Sequence, residues 1–455
     1  MKILLINPPP TGTLKAAGFH FPPIGLLYVA AYAEKEGHHV VVKDLAVRQK
    51  DEIDFKKYDL VGISVDTTRH HQALRLAKKA KAHGCAVVMG GPHPGYVDEE
   101  ILSTKKVDVV VHQEGEITFA KLLAHLGKKD GKLDSVQGIS FLSNEKVYRT
   151  PPRPFIEDLD SLPFPARHLI NLDDYRRTKF GGREITSLIT SRGCPFRCIF
   201  CASSNFFGVR WRARSVISVL QELEEIHHRY HFNAVAFVDD TFTISPERVV
   251  EICRGMTERK LDFWWWSLSR IDILHRNEEM VREMVRAGAK TIFIGVESSN
   301  PEALEEFHKG TDVESIVQTV EMLKRYGLEI HASYIIGALH DTVKTVHDTI
   351  RFAKKLDTNV ANFSILTPFP GTFLYEQVKG RIRKWRSPWS FFDFQHLVFK
   401  HDHFSFIRLE WLLLKASLLY YTRSKKAIKN VWHHIKTHRL GIGTLLRFLK
   451  DYFGG

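Results

Sequence analysis

The sequence predicts an α/β protein of two successive units, a doubly wound parallel sheet and then a partial (β/α)6 parallel barrel, ending in a helical cap. Apolar strand patterns alternate with helical patterns from Lys2 to about residue 126, and again from about residue 184 to residue 374; such alternation marks parallel α/β sheets. Between the two alternations, Pro151, Pro152, Pro154, Pro163 and Pro165 mark a linker. The boundaries read as 1–135 for the first sheet, 136–180 for a hairpin and linker, 181–376 for the barrel and 377–455 for the cap.

In the first unit the strand candidates are 3–6, 39–42, 60–65, 86–89 and 107–111, with helices over 24–32, 72–81 and 117–125. A Rossmann-like sheet of this kind binds ligands at the carboxyl ends of its strands. The turns there read Asn7-Pro8-Pro9-Pro10, Asp66-Thr67-Thr68, Gly90-Gly91-Pro92-His93 and Gln113-Glu114-Gly115-Glu116. Paired glycines let backbone come close to a bulky ligand. Residues 138–149 form a hairpin pattern.

The second unit offers six strands, 185–190, 234–238, 263–268, 291–294, 330–336 and 360–366. Val216, Val219, Leu220, Leu223 and Ile226 make one helical stripe, and Val343, Val346, Ile350 and Ala353 another. Parallel barrels carry their sites at the carboxyl ends of the strands. The final segment is basic and aromatic, with Ile407, Trp411, Leu414, Leu418 and Tyr421 at helical spacing. That stripe either packs on the barrel as a cap or forms a basic amphipathic surface that meets lipid or covers a hydrophobic substrate.

With 455 residues, 44% hydrophobic and 26% charged, the chain has an ordinary globular balance and room for two or three domains. The formal charge of +13 either solvates the surface or favours an anionic partner, a phosphorylated substrate, a membrane surface or nucleic acid. Five cysteines, three of them in one loop, make no disulfide framework. Cys85 and Cys253 read as buried small hydrophobes. Reduced thiolates, an opening too short for a signal-peptide core and the lack of a membrane-spanning apolar run predict a cytoplasmic setting. His401-Asp402-His403 and His433-His434 read as surface or packing residues.

Cys194, Cys198 and Cys201 stand in the run Cys194-Pro195-Phe196-Arg197-Cys198-Ile199-Phe200-Cys201. Three soft sulfur ligands within one loop suit an iron–sulfur cluster or zinc. A structural zinc needs a fourth ligand, and the loop has no fourth cysteine. A cubane held by three cysteines leaves one iron open.

This C-x3-C-x2-C loop after a first barrel strand, with an aromatic directly before its last cysteine, resembles the radical S-adenosylmethionine superfamily. The likeness continues through Phe237-Val238-Asp239-Asp240-Thr241-Phe242, Ser269-Arg270, Gly295-Val296-Glu297-Ser298, Ile336-Gly337 and Thr367-Pro368-Phe369-Pro370-Gly371-Thr372. These runs are similar to the branch of that family that has an N-terminal cobalamin-binding domain. The first sheet resembles that domain through Pro22-Pro23-Ile24-Gly25-Leu26, Gly62-Ile63-Ser64, Gly90-Gly91-Pro92-His93-Pro94 and Glu114-Gly115-Glu116.

The resemblance implies a [4Fe-4S] cluster on Cys194, Cys198 and Cys201, with S-adenosylmethionine and cobalamin as further cofactors. It implies that Asp239 and Asp240 accept from the methionine ammonium, that Arg270 pairs with its carboxylate and that Glu297 accepts from ribose hydroxyls. Phe200 and the backbone near Ile336 hold the adenine in this reading. Ser64, Thr67, Gly90, Gly91, His93, Glu114 and Gly115 are the implied cobalamin contacts. The Asp-x-His-x-x-Gly motif that places a histidine under cobalt is absent, leaving Asp66, Thr67, Arg69 or His70 to face the metal, or a domain that has kept its fold without the cofactor.

The implied activity is methylation of an unactivated carbon in a hydrophobic, lipid-like or polycyclic substrate. The alternative is oxidation or cyclisation of a tetrapyrrole-like substrate on the same cofactors. A cobalamin-binding sensor or carrier without catalysis is a third reading, but it needs neither an open-iron loop nor the acidic residues of the barrel. The expected partners are a small molecule, an electron donor such as flavodoxin or ferredoxin and, through the C-terminal region, a membrane surface; nucleic acid is not expected.

Overall fold

Four consecutive apolar residues, Ile3 to Ile6, are wholly buried in the first strand, as expected of a parallel strand covered on both faces. The computed structural model describes residues 1–10, 20–48, 51–126, 132–383, 385 and 388–423. The chain divides into two units, Met1–Arg177 with Asn205–Arg212, and Thr178–Ser204 with the residues from Ala213 on.

The first unit carries strands β1 (Lys2–Asn7), β2 (His39–Asp44), β3 (Leu60–Ser64), β4 (Ala86–Gly90), β5 (Val109–Val111), β6 (Ile139–Ser143) and β7 (Lys146–Arg149). They form one sheet in the order β2-β1-β3-β4-β5-β6-β7. The first five are parallel and the β6–β7 hairpin is antiparallel. Helices α1 (Ile24–Lys35), α2 (His70–Ala82), α3 (Asp98–Ser103) and α4 (Gly115–Leu126) connect them. One apolar cluster gathers Leu27, Ala30, Phe119 and Leu122, and the other gathers Ala73, Ala77, Val87 and Ile101. Chain order reverses between β1 and β3, the point where such sheets open a crevice for ligands. Residues 136–177 fold onto this unit: Ala166 lies in its core, with its N–H on the Leu27 carbonyl at 3.1 Å.

The second unit holds β8 (Lys179–Phe180), β9 (Arg183–Leu188), β10 (Ser191–Arg192), β12 (Ala234–Phe237), β13 (Trp264–Ser269), β14 (Ala289–Glu297), β15 (Glu329–Ile336) and β16 (Val360–Ile365); the two-residue β11 (Arg212–Ala213) spans the division. Its main sheet runs β16-β15-β14-β13-β12-β9-β8. Six neighbouring strands are parallel, and β8 pairs antiparallel with β9. Helices α6 (Val216–Glu224), α7 (Pro246–Glu258), α8 (Ile271–Arg276), α9 (Glu278–Arg286), α10 (Pro301–Glu306), α11 (Val313–Arg325), α12 (Val343–Leu356) and α13 (Phe373–Val378) intervene, and the short α5 (Ser203–Phe206) spans the division. Ser215, Ser245 and Asp312 cap α6, α7 and α11 through their side-chain oxygens. A Thr342–Thr345 capping box starts α12.

The last described helix is α14 (Phe406–Tyr421). Leu409, Leu412, Leu413, Ala416 and Tyr420 are its buried residues. Of the stripe that the sequence offers either as a cap packed on the barrel or as an amphipathic surface, Ile407, Trp411 and Leu418 are exposed. The sequence contains two interleaved apolar stripes, and the inner one is the other. Residues 424–455, including His433 and His434, lie outside the described structure.

Candidate functional site

The three cysteines sit in the loop between β10 and α5, with Cys194 buried and Cys198 and Cys201 half-buried. A turn closes the loop from the Cys201 N–H to the Cys198 carbonyl at 3.0 Å. Leu374 of α13 donates its N–H to the Ile199 carbonyl at 3.0 Å, tying the loop to the end of the barrel. Burial pushes the Cys194 and Cys198 thiols up; for Cys198 the nearby Lys309 and Arg270 cations pull the other way. Among the described residues, no three His, Cys, Asp or Glu side chains close on a single metal ion. A cubane places each cysteine on its own iron, so the loop fits a cluster in composition and spacing.

Asp239 and Asp240 follow β12, and both are enclosed. One Asp239 oxygen accepts from the Thr190 N–H at 3.0 Å, the Thr190 hydroxyl at 2.8 Å and the Ser191 hydroxyl at 2.5 Å. Asp239 therefore locks the backbone that leads into the cysteine loop. Asp240 accepts from the Ser203 side chain and the Gly193 backbone. Burial pushes both carboxyls up. The second oxygen of each, Oδ2, is buried without a hydrogen-bond donor. Buried acceptors left open are costly, and an ammonium group such as that of S-adenosylmethionine would satisfy them.

Arg270 opens α8 at the end of β13. Its guanidinium is held by Asp272 at 2.9 and 3.2 Å and donates to the Lys309 carbonyl. It reaches Cys198 Sγ at 3.9 Å and lies over the Phe196 ring, 3.5 Å from its centroid. Glu297 ends β14 in the left-handed region, at φ 62° and a register shift. Its Oε1 accepts from Lys309 Nζ at 2.6 Å and its Oε2 from the Ser333 hydroxyl at 3.4 Å. A Cβ on Gly295 would stand 2.1 Å from Glu297 Oε1 and 2.4 Å from Lys309 Nζ, so a larger residue there would make the tips of this pair shift.

Phe200 packs edge-to-face on Phe307, 5.1 Å between centroids. Ile336 is fully buried, and its carbonyl accepts from the Leu366 N–H at 3.0 Å. The next two N–H groups, of Gly337 and Ala338, both donate to Asp341 Oδ2 at 3.0 Å. The backbone near Ile336 thus has internal partners, and its side chain is packed in the barrel core. Lys309, nine-tenths buried between Glu297 and Arg270, is the residue that sequence reasoning missed. Its one sequence signal is indirect: an enclosed carboxylate at 297 requires a cation.

In the first unit Ser64, Thr67, Gly90 and Gly91 gather at the carboxyl ends of β3 and β4. A Cβ on Gly91, at φ 108°, would stand 2.9 Å from the Val65 carbonyl oxygen. That glycine therefore serves the turn itself. The implied cobalamin contacts His93, Glu114 and Gly115 have other surroundings. His93 Nε2 lies 3.0 Å from His70 Nδ1, and burial, with His70 and His71 adding to it, holds its pKa well below the usual histidine range. Glu114 is a buried counter-ion for Arg212 Nη1, at 2.9 and 3.0 Å, and accepts from the Ile156 N–H at 2.7 Å. Gly115 starts α4 where a Cβ would meet Val29 at 3.3 Å. Arg69 spans the β1–β3 crevice, donating to Asn7 Oδ1 at 2.7 Å and paired with Asp66 at 3.0 Å.

Residues 188–353 match the Radical SAM superfamily model and residues 10–123 the B12 binding domain model. The chain is 36% identical to an uncharacterized methyltransferase of Pyrococcus horikoshii, over 95% of each chain. It is 26% identical to an anaerobic magnesium-protoporphyrin IX monomethyl ester cyclase of Rubrivivax gelatinosus, over 84% of this chain and 71% of that one. The fold is similar to that of the radical S-adenosylmethionine methyltransferase TsrM of Kitasatospora setae, with a TM-score of 0.70 at 19% identity, covering 83% of this chain and 74% of that one. With both domains matched in their expected order, the chain belongs to the B12-binding radical S-adenosylmethionine enzymes, whose cofactors are a [4Fe-4S] cluster, S-adenosylmethionine and cobalamin.

Proposed function

We propose that this enzyme methylates an unactivated carbon of a hydrophobic, lipid-like or polycyclic small molecule. The observation that carries the reading is near end-to-end similarity to a methyltransferase, together with an intact cysteine loop in a barrel with matching strand ends. When bound, the three cofactors supply one-electron cleavage of a sulfonium bond, hydrogen abstraction from carbon and a transferable methyl group.

The chain's own residues bind and orient. Cys194, Cys198 and Cys201 would hold the cluster through their three thiolates. Asp239 fixes the Thr190–Ser191 backbone at the base of the loop, and the open Oδ2 atoms of Asp239 and Asp240 accept from the methionine ammonium. Arg270, steadied by Asp272 and Phe196, meets the methionine carboxylate. Glu297, held by Lys309, accepts from the ribose. Phe200 on Phe307 and the backbone near Ile336 border the adenine. Ser64, Thr67, Gly90 and Gly91 line the corrinoid side of the first sheet. Asp239, Arg270, Glu297 and Ile336 are buried, which keeps water from that part of the site.

Similarity to the cyclase favours a second reading, in which the same cofactors oxidise or cyclise a ring-bearing substrate. Anaerobic turnover separates the two. Methylation requires methylated product, 5′-deoxyadenosine and S-adenosylhomocysteine together. Deoxyadenosine with a cyclised product and no homocysteine removes the methyltransferase reading.

A further inference from the structure

Helix α14 presents two apolar faces, and the barrel occupies one. On the inner side, Leu409 packs where a Cβ on Gly337 would stand 2.6 Å from it. The Tyr421 hydroxyl donates to the Ala361 carbonyl at 3.1 Å, and Arg423 Nε pairs with Asp357 at 2.7 Å. The helix is therefore fixed in orientation. On the outer side, Ile407 is 81% exposed, Trp411, one turn on, 55%, and Leu418, two turns further, 56%, with half-buried Leu414 between the last two. Trp385, 58% exposed, lies edge-on to Phe406 at 4.9 Å and extends the patch at the start of the helix. Isolated exposed apolar residues are ordinary, but a contiguous row on a rigid helix marks an interaction surface.

Charge identifies the partner. Arg408 is exposed beside Ile407, and Lys415 Nζ lies 5.1 Å over the Trp411 ring. The one acidic residue of the helix, Glu410, accepts from the Leu397 N–H at 3.2 Å on the barrel side. The chain that follows, residues 424–455, carries Lys425, Lys426, Lys429, Lys436, Arg439, Arg447 and Lys450 against Asp451 alone among acids. An apolar stripe with an indole, flanked by Arg408 and Lys415 on a helix that carries no exposed acid of its own, is built for the headgroup zone of an anionic bilayer. We propose that the outer face of α14 docks this enzyme on anionic lipid, with Ile407, Trp411 and Leu418 entering the interface. The surface is independent of the reaction assigned above, and its test needs no turnover.

The full chain is sedimented with vesicles of phosphatidylcholine alone and of phosphatidylcholine with phosphatidylglycerol. The anionic vesicles should retain the protein and release it at high salt, and the neutral ones should retain little. Ile407→Glu with Trp411→Glu should lower partitioning at least about tenfold. Both side chains face solvent, so circular dichroism and cluster content should stay unchanged. In the otherwise native protein, brominated lipid should quench tryptophan emission, and Trp411→Phe should remove much of that quenching. Equal binding to both vesicle types, or full binding by the double variant, overturns the proposal. Light scattering that finds a dimer dispersed by the same variant assigns the face to a second copy instead.

Discussion

Lys309 and Glu297 form the most consequential buried pair in the barrel, and replacing Lys309 by Met tests it. The two side chains are 10% and 7% exposed and 2.6 Å apart. Methionine keeps most of the lysine stem but leaves the Glu297 carboxylate with only the Ser333 hydroxyl at 3.4 Å. Breaking a buried pair from one side costs about 3–5 kcal/mol, because the remaining charge stays desolvated. At a urea slope of about 3 kcal/mol per molar, the unfolding midpoint should fall by about 1–1.7 M. Adding Glu297→Gln removes that charge, so the double variant should return to within about 1 kcal/mol of the parent. Deoxyadenosine formation should stay low in both variants, because Glu297 then lacks either its support or its charge. Urea unfolding of the anaerobic cofactor-free protein, followed through the aromatic signal, gives both midpoints. A single variant as stable as the parent, or a double variant no better than the single, refutes the reasoning.

Gly295→Ala attacks the same pair through space: a methyl 2.1 Å from Glu297 Oε1 must displace the carboxylate, costing about 1–3 kcal/mol and most S-adenosylmethionine cleavage in a deoxyadenosine assay. Glu114→Ala should destabilise the first unit by about 3–5 kcal/mol by stranding Arg212, yet the folded fraction should bind cobalamin with unchanged affinity in a corrinoid titration. Asp341 gives a pH test. Burial pushes its carboxyl above the usual range despite donors from Thr345, Ala338 and Gly337. A raised folded pKa favours the native state below the ordinary aspartate value, and that advantage is lost as pH rises through the raised one. The parent should therefore be more stable relative to Asp341→Asn near pH 4 than near pH 8, measured by urea midpoints; a difference constant with pH contradicts the assignment.

What the sequence made legible was periodic or local. Strands such as Lys2–Asn7 and Ala234–Phe237 announce themselves as short apolar runs between turn residues, and three cysteines within eight residues need no fold to be noticed. What it concealed were partnerships between distant or ordinary residues. Glu114 and Arg212 are 98 positions apart, so nothing in the sequence shows that the acidic residue after β5 has a buried counter-ion. His93 and His70, 23 positions apart, meet only in the fold. Lys309 stands in an unremarkable charged stretch, and only the backbone turn at Glu297 brings the two together. Helix α14 is the sharpest case. Its pattern offers the stripe 407-411-414-418 and the stripe 409-412-413-416-420 with equal periodicity, because nearly every position is apolar. Periodicity sets the angle between two faces; which one meets the barrel is decided by complementarity, here the gap that Gly337 leaves for Leu409 and the hydrogen bond that Ala361 accepts from Tyr421. The face left outside is consequently the one whose composition answers to something other than the barrel.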